Sequence, residues 1–224
     1  MTASLRGLRF VVSAGPTFED IDPVRFIGNR SSGKMGFAIA MAAARREAQV
    51  ILVAGPVQLS TPQHVQRIDV RSAAQMRAAV LAALPADVYI GAAAVADYAP
   101  RCAAVQKLKK TAGSDTLLLE LVRTPDILAE VAMSAPRPRL VVGFAAETHD
   151  VEHYARGKLR NKKLDLIAAN RVGIPGSGFE SEDNALTVYG PDFERALGPA
   201  PKTQLAEELL DLIAARLAAD GPHP

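Results

Sequence analysis

Five short apolar runs, LRFVVSAG, QVILVAGP, DVYIGAAAVADY, RLVVGFAAET and LDLIAAN, constrain this chain more than any other feature. Each is apolar at successive positions rather than alternate ones. A strand of that kind is buried on both faces, as in parallel sheets covered by helices on either side. The first strand is expected over residues 5–12, ahead of a turn at Ser13, Ala14, Gly15 and Pro16; RIDV and LLLELVR read as further strands, and ALTVYG as an edge strand. Helical stretches fall between them. One starts at Lys34 and one covers 72–84 behind a Ser72 cap; TPDILAEVAMSA places Pro125 just inside a start capped by Thr124. VEHYARGKLRNKK and the amphipathic TQLAEELLDLIAARLAA complete the set. This alternation predicts an α/β fold, a doubly wound, mostly parallel sheet. One domain is expected over residues 1–220, with 221–224 as a frayed tail. Segments 99–123 and 178–190 offer strands with no obvious place in a parallel core.

The same pattern bears on location. No run of eighteen apolar residues occurs and the first residues lack a hydrophobic signal core, so a cytoplasmic protein with no membrane segment is expected. Cys102 is the only cysteine, which excludes an internal disulfide and a thiolate metal cluster; with no histidine nearby it reads as a small residue rather than a nucleophile. Formal net charge is only +2 and no long basic run interleaves with aromatics, so nucleic acid is not an expected partner. The cations gather in three clusters instead, at 25–34, 107–110 and 156–163, which suits a polyanionic small molecule.

The first cluster, RFIGNRSSGKMG, combines Arg25, Arg30 and Lys34 with Ser31, Ser32 and the glycines Gly28, Gly33 and Gly36 ahead of a helix. Unpaired N–H groups of a first helical turn favour an anion there. Gly28 to Met35 misses the P-loop pattern by one residue, because Met35 stands where a hydroxyl would ligate Mg²⁺. Asp97 ends a strand whose small residues, Gly91, Ala92 and Ala93, let a planar ligand approach the backbone. Lys107 opens KLKK, which reads either as a solvated face or as a loop able to close over phosphates. Tyr154 and Lys158 match the Tyr-x-x-x-Lys dyad of short-chain dehydrogenases, although SAGPTFED lacks the glycines of a dinucleotide site; an NADP-dependent reductase is therefore the alternative function. His149 and His153 stand four apart without the H-E-x-x-H carboxylate, and the acidic residues of GFESEDNALTVY read as turn chemistry or a carboxylate metal site. A nucleotide-binding domain without turnover is a third reading.

Taken in order, SAGPTFEDIDPVRFIGNRSSGKMGFAIA, GAAAVADYAP, KLKK, TPDIL, VGFAAET and KLRNKKLDLIAAN resemble bacterial phosphopantothenoylcysteine synthetase, the ligase half of bifunctional coenzyme A biosynthesis proteins. The resemblance runs through nearly the whole chain. It implies a Rossmann-like fold and a ligase that joins phosphopantothenate to L-cysteine with CTP and Mg²⁺ through an acyl cytidylate, releasing pyrophosphate and then CMP. It also implies a homodimer, with a small β arm and the lysine loop near the two-fold; segments 99–123 and 178–190 are the candidates for that arm. The family's flavin-dependent phosphopantothenoylcysteine decarboxylase half does not lie within these residues, so the chain reads as a separate synthetase or part of a longer protein. Residue by residue, Asn29 would hold the acyl cytidylate and Lys107 would neutralise charge as it forms. Phosphopantothenate would meet Arg25, Asn29, Arg30, Ser31, Ser32, Gly33 and Lys34. CTP would meet Gly91, Ala92, Ala93, Asp97, Lys107, Pro125, Asp126, Ile127, Leu128, Phe144, Lys158 and Lys162. Two departures are visible, Leu108 where isoleucine is frequent and Gly28 where serine is common.

Overall fold

A computed structural model describes residues 3–110, 115–173 and 181–219. The expected tail and the start of the 178–190 segment lie outside those residues. The parallel strands are β1 (Arg9–Ala14), β4 (Gln49–Ala54), β5 (Val65–Asp69), β6 (Val88–Gly91), β9 (Leu140–Glu147) and β10 (Leu166–Arg171). Two antiparallel strands, β11 (Asp183–Tyr189) and β12 (Glu194–Pro201), extend them into an eight-stranded sheet ordered β12-β11-β10-β9-β6-β1-β4-β5. The chain leaves β1 in one direction to β4 and β5, then returns through β6 to β9 and β10 on the other side. The sheet is thus doubly wound, and its switch point lies between β1 and β6.

Burial follows the pleat. Phe10, Val12 and Ala14 of β1 pack on one face with α1 (Lys34–Arg45) and α5 (Lys202–Ala219), whereas Val11 packs on the other with α2 (Ala73–Ala82), α3 (Ile127–Ala132) and α4 (Val151–Asn161). Both faces of β1 are covered, which is why its run is continuously apolar. Ser72 caps α2 as expected: it accepts from the Gln75 N–H and the Gln75 side chain returns to the cap.

Several boundaries differ from the sequence expectation. Asp126, not Thr124, caps α3, accepting from the Ala129 N–H, so Pro125 stands outside the helix; Thr124 instead donates its hydroxyl to the Ala96 carbonyl at 2.6 Å. DVYIGAAAVADY is not one strand. It stops as β6 at Gly91, and Tyr98–Pro100 forms β7, which among the described residues pairs only with β8 (Leu121–Arg123). The long segment after β1 carries a hairpin of β2 (Phe18–Asp20) and β3 (Phe26–Gly28), stacked through Phe18 and Phe26 at 4.0 Å. Gly28 belongs here because a Cβ would sit 2.7 Å from the Phe18 ring. Finally, ALTVYG is not at the edge. β11 pairs with β10 and is flanked by β12, so the described part of 178–190 has a place in the central sheet. β12 contains Gly198, Pro199 and Pro201, residues that argue against an interior strand and are tolerated at an edge.

Candidate active site

A cleft of about 780 Å³ opens over the C-terminal ends of β6, β9 and β10, against the first turn of α1, beside the switch point. Its backbone is brought close by small residues. Gly36, in that first turn, lets α1 approach β1: a Cβ there would meet Ala14 Cβ at 2.5 Å. Gly33 caps α1 at φ 74° in the left-handed region, a conformation glycine adopts without strain, and no side chain caps the turn. The first N–H groups therefore face a cleft lined by Gly33, Lys34, Met35 and Gly36.

The sheet divides the lining in two. Phe144 belongs to the face of α1 and α5. By the same alternation Asn170 of β10 and Asn184 of β11 lie on that face, with Lys34 and Lys202 at the starts of its two helices. The opposite face supplies Pro125, Asp126, Ile127 and Leu128, Lys158 of α4 and Lys162 at its C-terminal cap. Cations on both sides are paired with carboxylates. Lys158 Nζ donates to Glu147 at 2.7 Å, Lys162 Nζ lies 2.8 Å from Asp126, and Lys34 bonds Glu182. The hydrogen bond from Lys34 holds the Glu182 carboxyl below its usual range. Lys202 is 6% exposed and donates to the Ser181 carbonyl; burial, then the charge of Lys34, push its ammonium below the usual lysine value.

Asn29 directly follows β3 and donates its amide to the carbonyls of Ala94 and Val95, each at 3.1 Å. The loop after β6 is further held by the Thr17 hydroxyl, which accepts from the Ala96 N–H at 3.0 Å. That stapling brings Asn29, Ala94, Val95 and Asp97 to one wall.

Most of the expected site residues therefore meet. Asn29 to Lys34, Gly91 to Ala93, Asp97, Pro125 to Leu128, Phe144, Lys158 and Lys162 all line the cleft. Arg25 and Lys107 do not. Arg25 spends its guanidinium on Asp22 and on the Leu108 carbonyl, and Lys107 is exposed on its loop. The 107–110 cluster is thus outside the convergence that the spacing of cations suggested. Arg123, Asn170, Asn184 and Lys202 line the cleft without having been expected. For Asn170 a signal existed, since it ends a buried parallel strand as Asp97 follows one; Asn184 and Lys202 depend on where β11 and α5 begin, which no motif marks.

The Tyr154–Lys158 dyad is not assembled. Lys158 lines the cleft, but Tyr154 does not, and its hydroxyl faces His149 at 3.5 Å. The rings of His149 and His153 both stack edge-on against Tyr154. Among the described residues no group of three or more His, Cys, Asp or Glu side chains could hold a metal, and Glu180 of the acidic segment lies outside them. Among them too, no helix is long and apolar enough to cross a membrane.

Known proteins match this architecture. The model of the family described as DNA/pantothenate metabolism flavoprotein C-terminal domain matches residues 5–217. The coenzyme A biosynthesis bifunctional protein CoaBC of Vibrio parahaemolyticus is 53% identical over 208 residues, covering 92% of this chain and 52% of that protein. The protein of that name from Escherichia coli is 50% identical over 214 residues, covering 95% of this chain and 53% of the relative. The chain thus spans about half the length of the curated relatives it matches. A crystal structure of the C-terminal domain of CoaBC superposes with a TM-score of 0.81 at 41% identity, covering 96% of this chain and 98% of that one. A DNA/pantothenate metabolism flavoprotein from Streptococcus pneumoniae shares the fold, with a TM-score of 0.77 at 21% identity, covering 93% of this chain and 99% of that one. The chain belongs to the DNA/pantothenate metabolism flavoprotein C-terminal domain family.

Proposed function

We propose that this chain is a phosphopantothenate–cysteine ligase domain that uses CTP and acts in coenzyme A biosynthesis in the cytoplasm. The observation that carries the reading is the division of one cleft by the sheet. Lys158 and Lys162 stand beside Pro125 to Leu128 on one face, while Lys34 and Lys202 stand at the starts of α1 and α5 on the other, with Asn29 and Arg30 lining the same cleft. One polyanion per face is what joining a triphosphate to a phosphorylated acid requires. The CoaBC relatives, named for coenzyme A biosynthesis, support the pathway.

In the first step a substrate carboxylate oxygen attacks the α-phosphorus of CTP and pyrophosphate leaves. Lys158 and Lys162 exchange Glu147 and Asp126 for phosphate oxygens, so their positions are set before the nucleotide arrives. Gly91, Ala92 and Ala93 let the base approach the backbone. Asp97 on the cleft wall would hold a magnesium ion brought in by the triphosphate, and such an ion would supply positive charge at the leaving group. In the second step the cysteine amine attacks the acyl carbon, CMP leaves, and the amine loses a proton. Asn29 would hold the acyl cytidylate beside the Ala94–Val95 carbonyls. Lys107 would extend its side chain to the leaving pyrophosphate, in its own or a second subunit. The exposed Val24, Phe26, Tyr98, Leu117, Leu118 and Leu121 sit on the β2–β3 hairpin and the β7–β8 arm and support a homodimer through these elements, which a solution mass would check.

The test is pyrophosphate release from CTP with phosphopantothenate, followed by cysteine-dependent CMP release. Lys107→Gln should lose pyrophosphate release by roughly 10²–10³-fold, the effect of removing one charge-stabilising donor. Asn29→Asp should still activate the acid but transfer slowly to cysteine. Equal CTP turnover in wild type and Lys107→Gln would remove the lysine assignment; NADPH binding with no CTP binding, read by calorimetry, would remove the ligase reading.

A further inference from the structure

Asp22, in the turn of the β2–β3 hairpin, is outside the cleft and has no part in the chemistry above, yet its side chain is fully buried. Its two oxygens do separate work. Oδ1 accepts the N–H groups of Val24 at 2.8 Å and Arg25 at 2.9 Å, closing the hairpin turn on itself. Oδ2 accepts Nε of Arg25 at 3.0 Å and its Nη2, and also the backbone N–H of Leu108 at 3.1 Å. Arg25 Nη2 completes the ring by donating to the Leu108 carbonyl at 3.1 Å. Both backbone groups of Leu108 are therefore taken up by one ion pair, buried on its aspartate side. A second tie, from the Ala104 N–H to the Ile21 carbonyl at 2.8 Å, fixes the loop nearer its start. The hairpin so bound runs through β3 straight into Asn29, whose amide is fixed on the cleft wall.

We infer that Asp22 is a positioning residue for Lys107, its Oδ2 fixing Leu108 so that the lysine loop is hinged on the same hairpin that carries Asn29. The inference rests on the ligase reading for what Lys107 does, and on geometry alone for the latch. It assigns Arg25 a place in the latch of its own chain. The physical gain is in entropy: a lysine beside an anchored backbone searches far fewer positions than one on an open loop.

Asp22→Asn separates the two oxygens. The amide oxygen can keep the turn N–H groups, while the amide nitrogen, a donor, would face the Leu108 N–H and the Arg25 guanidinium. Pyrophosphate release should fall at least about tenfold in kcat, with KM for CTP within about twofold because Lys158 and Lys162 are untouched. Trypsin should cut the folded chain after Lys107, Lys109 and Lys110 about tenfold faster. In a Lys107→Gln background the residual rate should not fall further. Leu108→Pro, which removes the N–H donor of the latch, should reproduce the faster cleavage after Lys109 and Lys110 should Asp22→Asn fold poorly by circular dichroism; the Lys107–Pro bond of that variant itself resists trypsin. Wild-type cleavage rates in both variants would overturn the latch. An equal loss of activity with and without Lys107 would overturn its action through that lysine. If the wild type itself releases no pyrophosphate, the ligase reading fails while the cleavage comparison still decides the latch.

Discussion

Replacing Gly36 by alanine tests whether the approach of α1 to β1 builds the anion site. The new Cβ would lie 2.5 Å from Ala14 Cβ and 3.5 Å from Ala92 Cβ. Carbon atoms prefer about 3.5–4.0 Å, so the helix must retreat by about 1 Å. Ala14 cannot yield, being a fully buried strand residue with no flexible end. Overpacking of this kind costs about 1–3 kcal/mol. Removing a helical glycine returns at most about 1 kcal/mol, and less than that in a first turn. The contact wins. A net loss of about 1–2 kcal/mol lowers the melting temperature by about 2–8 °C in a domain of this size. Gly157→Ala in α4 is the matched control, since nothing lies within 4 Å of its added Cβ. It should gain up to about 1 kcal/mol from helix propensity. Thermal unfolding by circular dichroism reads both variants. Calorimetry with phosphopantothenate should show weaker binding only for Gly36→Ala, because its helix N-terminus has moved. A Gly36→Ala protein that melts at or above wild type would refute the packing argument; unchanged affinity would separate the helix start from the site.

Lys158→Ala should weaken CTP binding roughly ten- to hundredfold, from loss of one charge-assisted hydrogen bond worth about 1.5–3 kcal/mol, and titration calorimetry with an unchanged Kd would count against the triphosphate assignment. Tyr89 offers a pH test. Burial pushes its phenol up to about 12 against an opposing hydrogen bond with Ser13. A raised folded pKa means that the unfolded chain ionises first. Its contribution is fully present below about pH 10 and is lost as pH rises through about 12, on the order of 2–3 kcal/mol. Urea midpoints of wild type should therefore fall more steeply between about pH 9 and about pH 12 than those of Tyr89→Phe, and parallel slopes would contradict it.

What the linear chain determined was whatever a local period or cap can write. FVV, VILV and LVVGF announced strands buried on both faces, and Ser72 with Gln75 marked the start of α2. Glycines and cations ahead of α1 marked an anion site, and the small residues from Gly91 marked a strand end open to a ligand, whereas Phe144, inside β9, came only from the family resemblance. Tertiary structure decided what depends on partners distant in sequence. β12 exists because β11 offers it an edge, despite Gly198 and two prolines. Asn184 and Lys202 reach the cleft because β11 and α5 begin beside α1, and Tyr154 leaves it because α4 directs that hydroxyl toward His149. Asp22 and Leu108, 86 positions apart, meet through a hairpin turn. Periodicity and capping act over a few residues of one element, whereas these placements are set by hydrogen bonds and packing between elements that meet only once the sheet has formed.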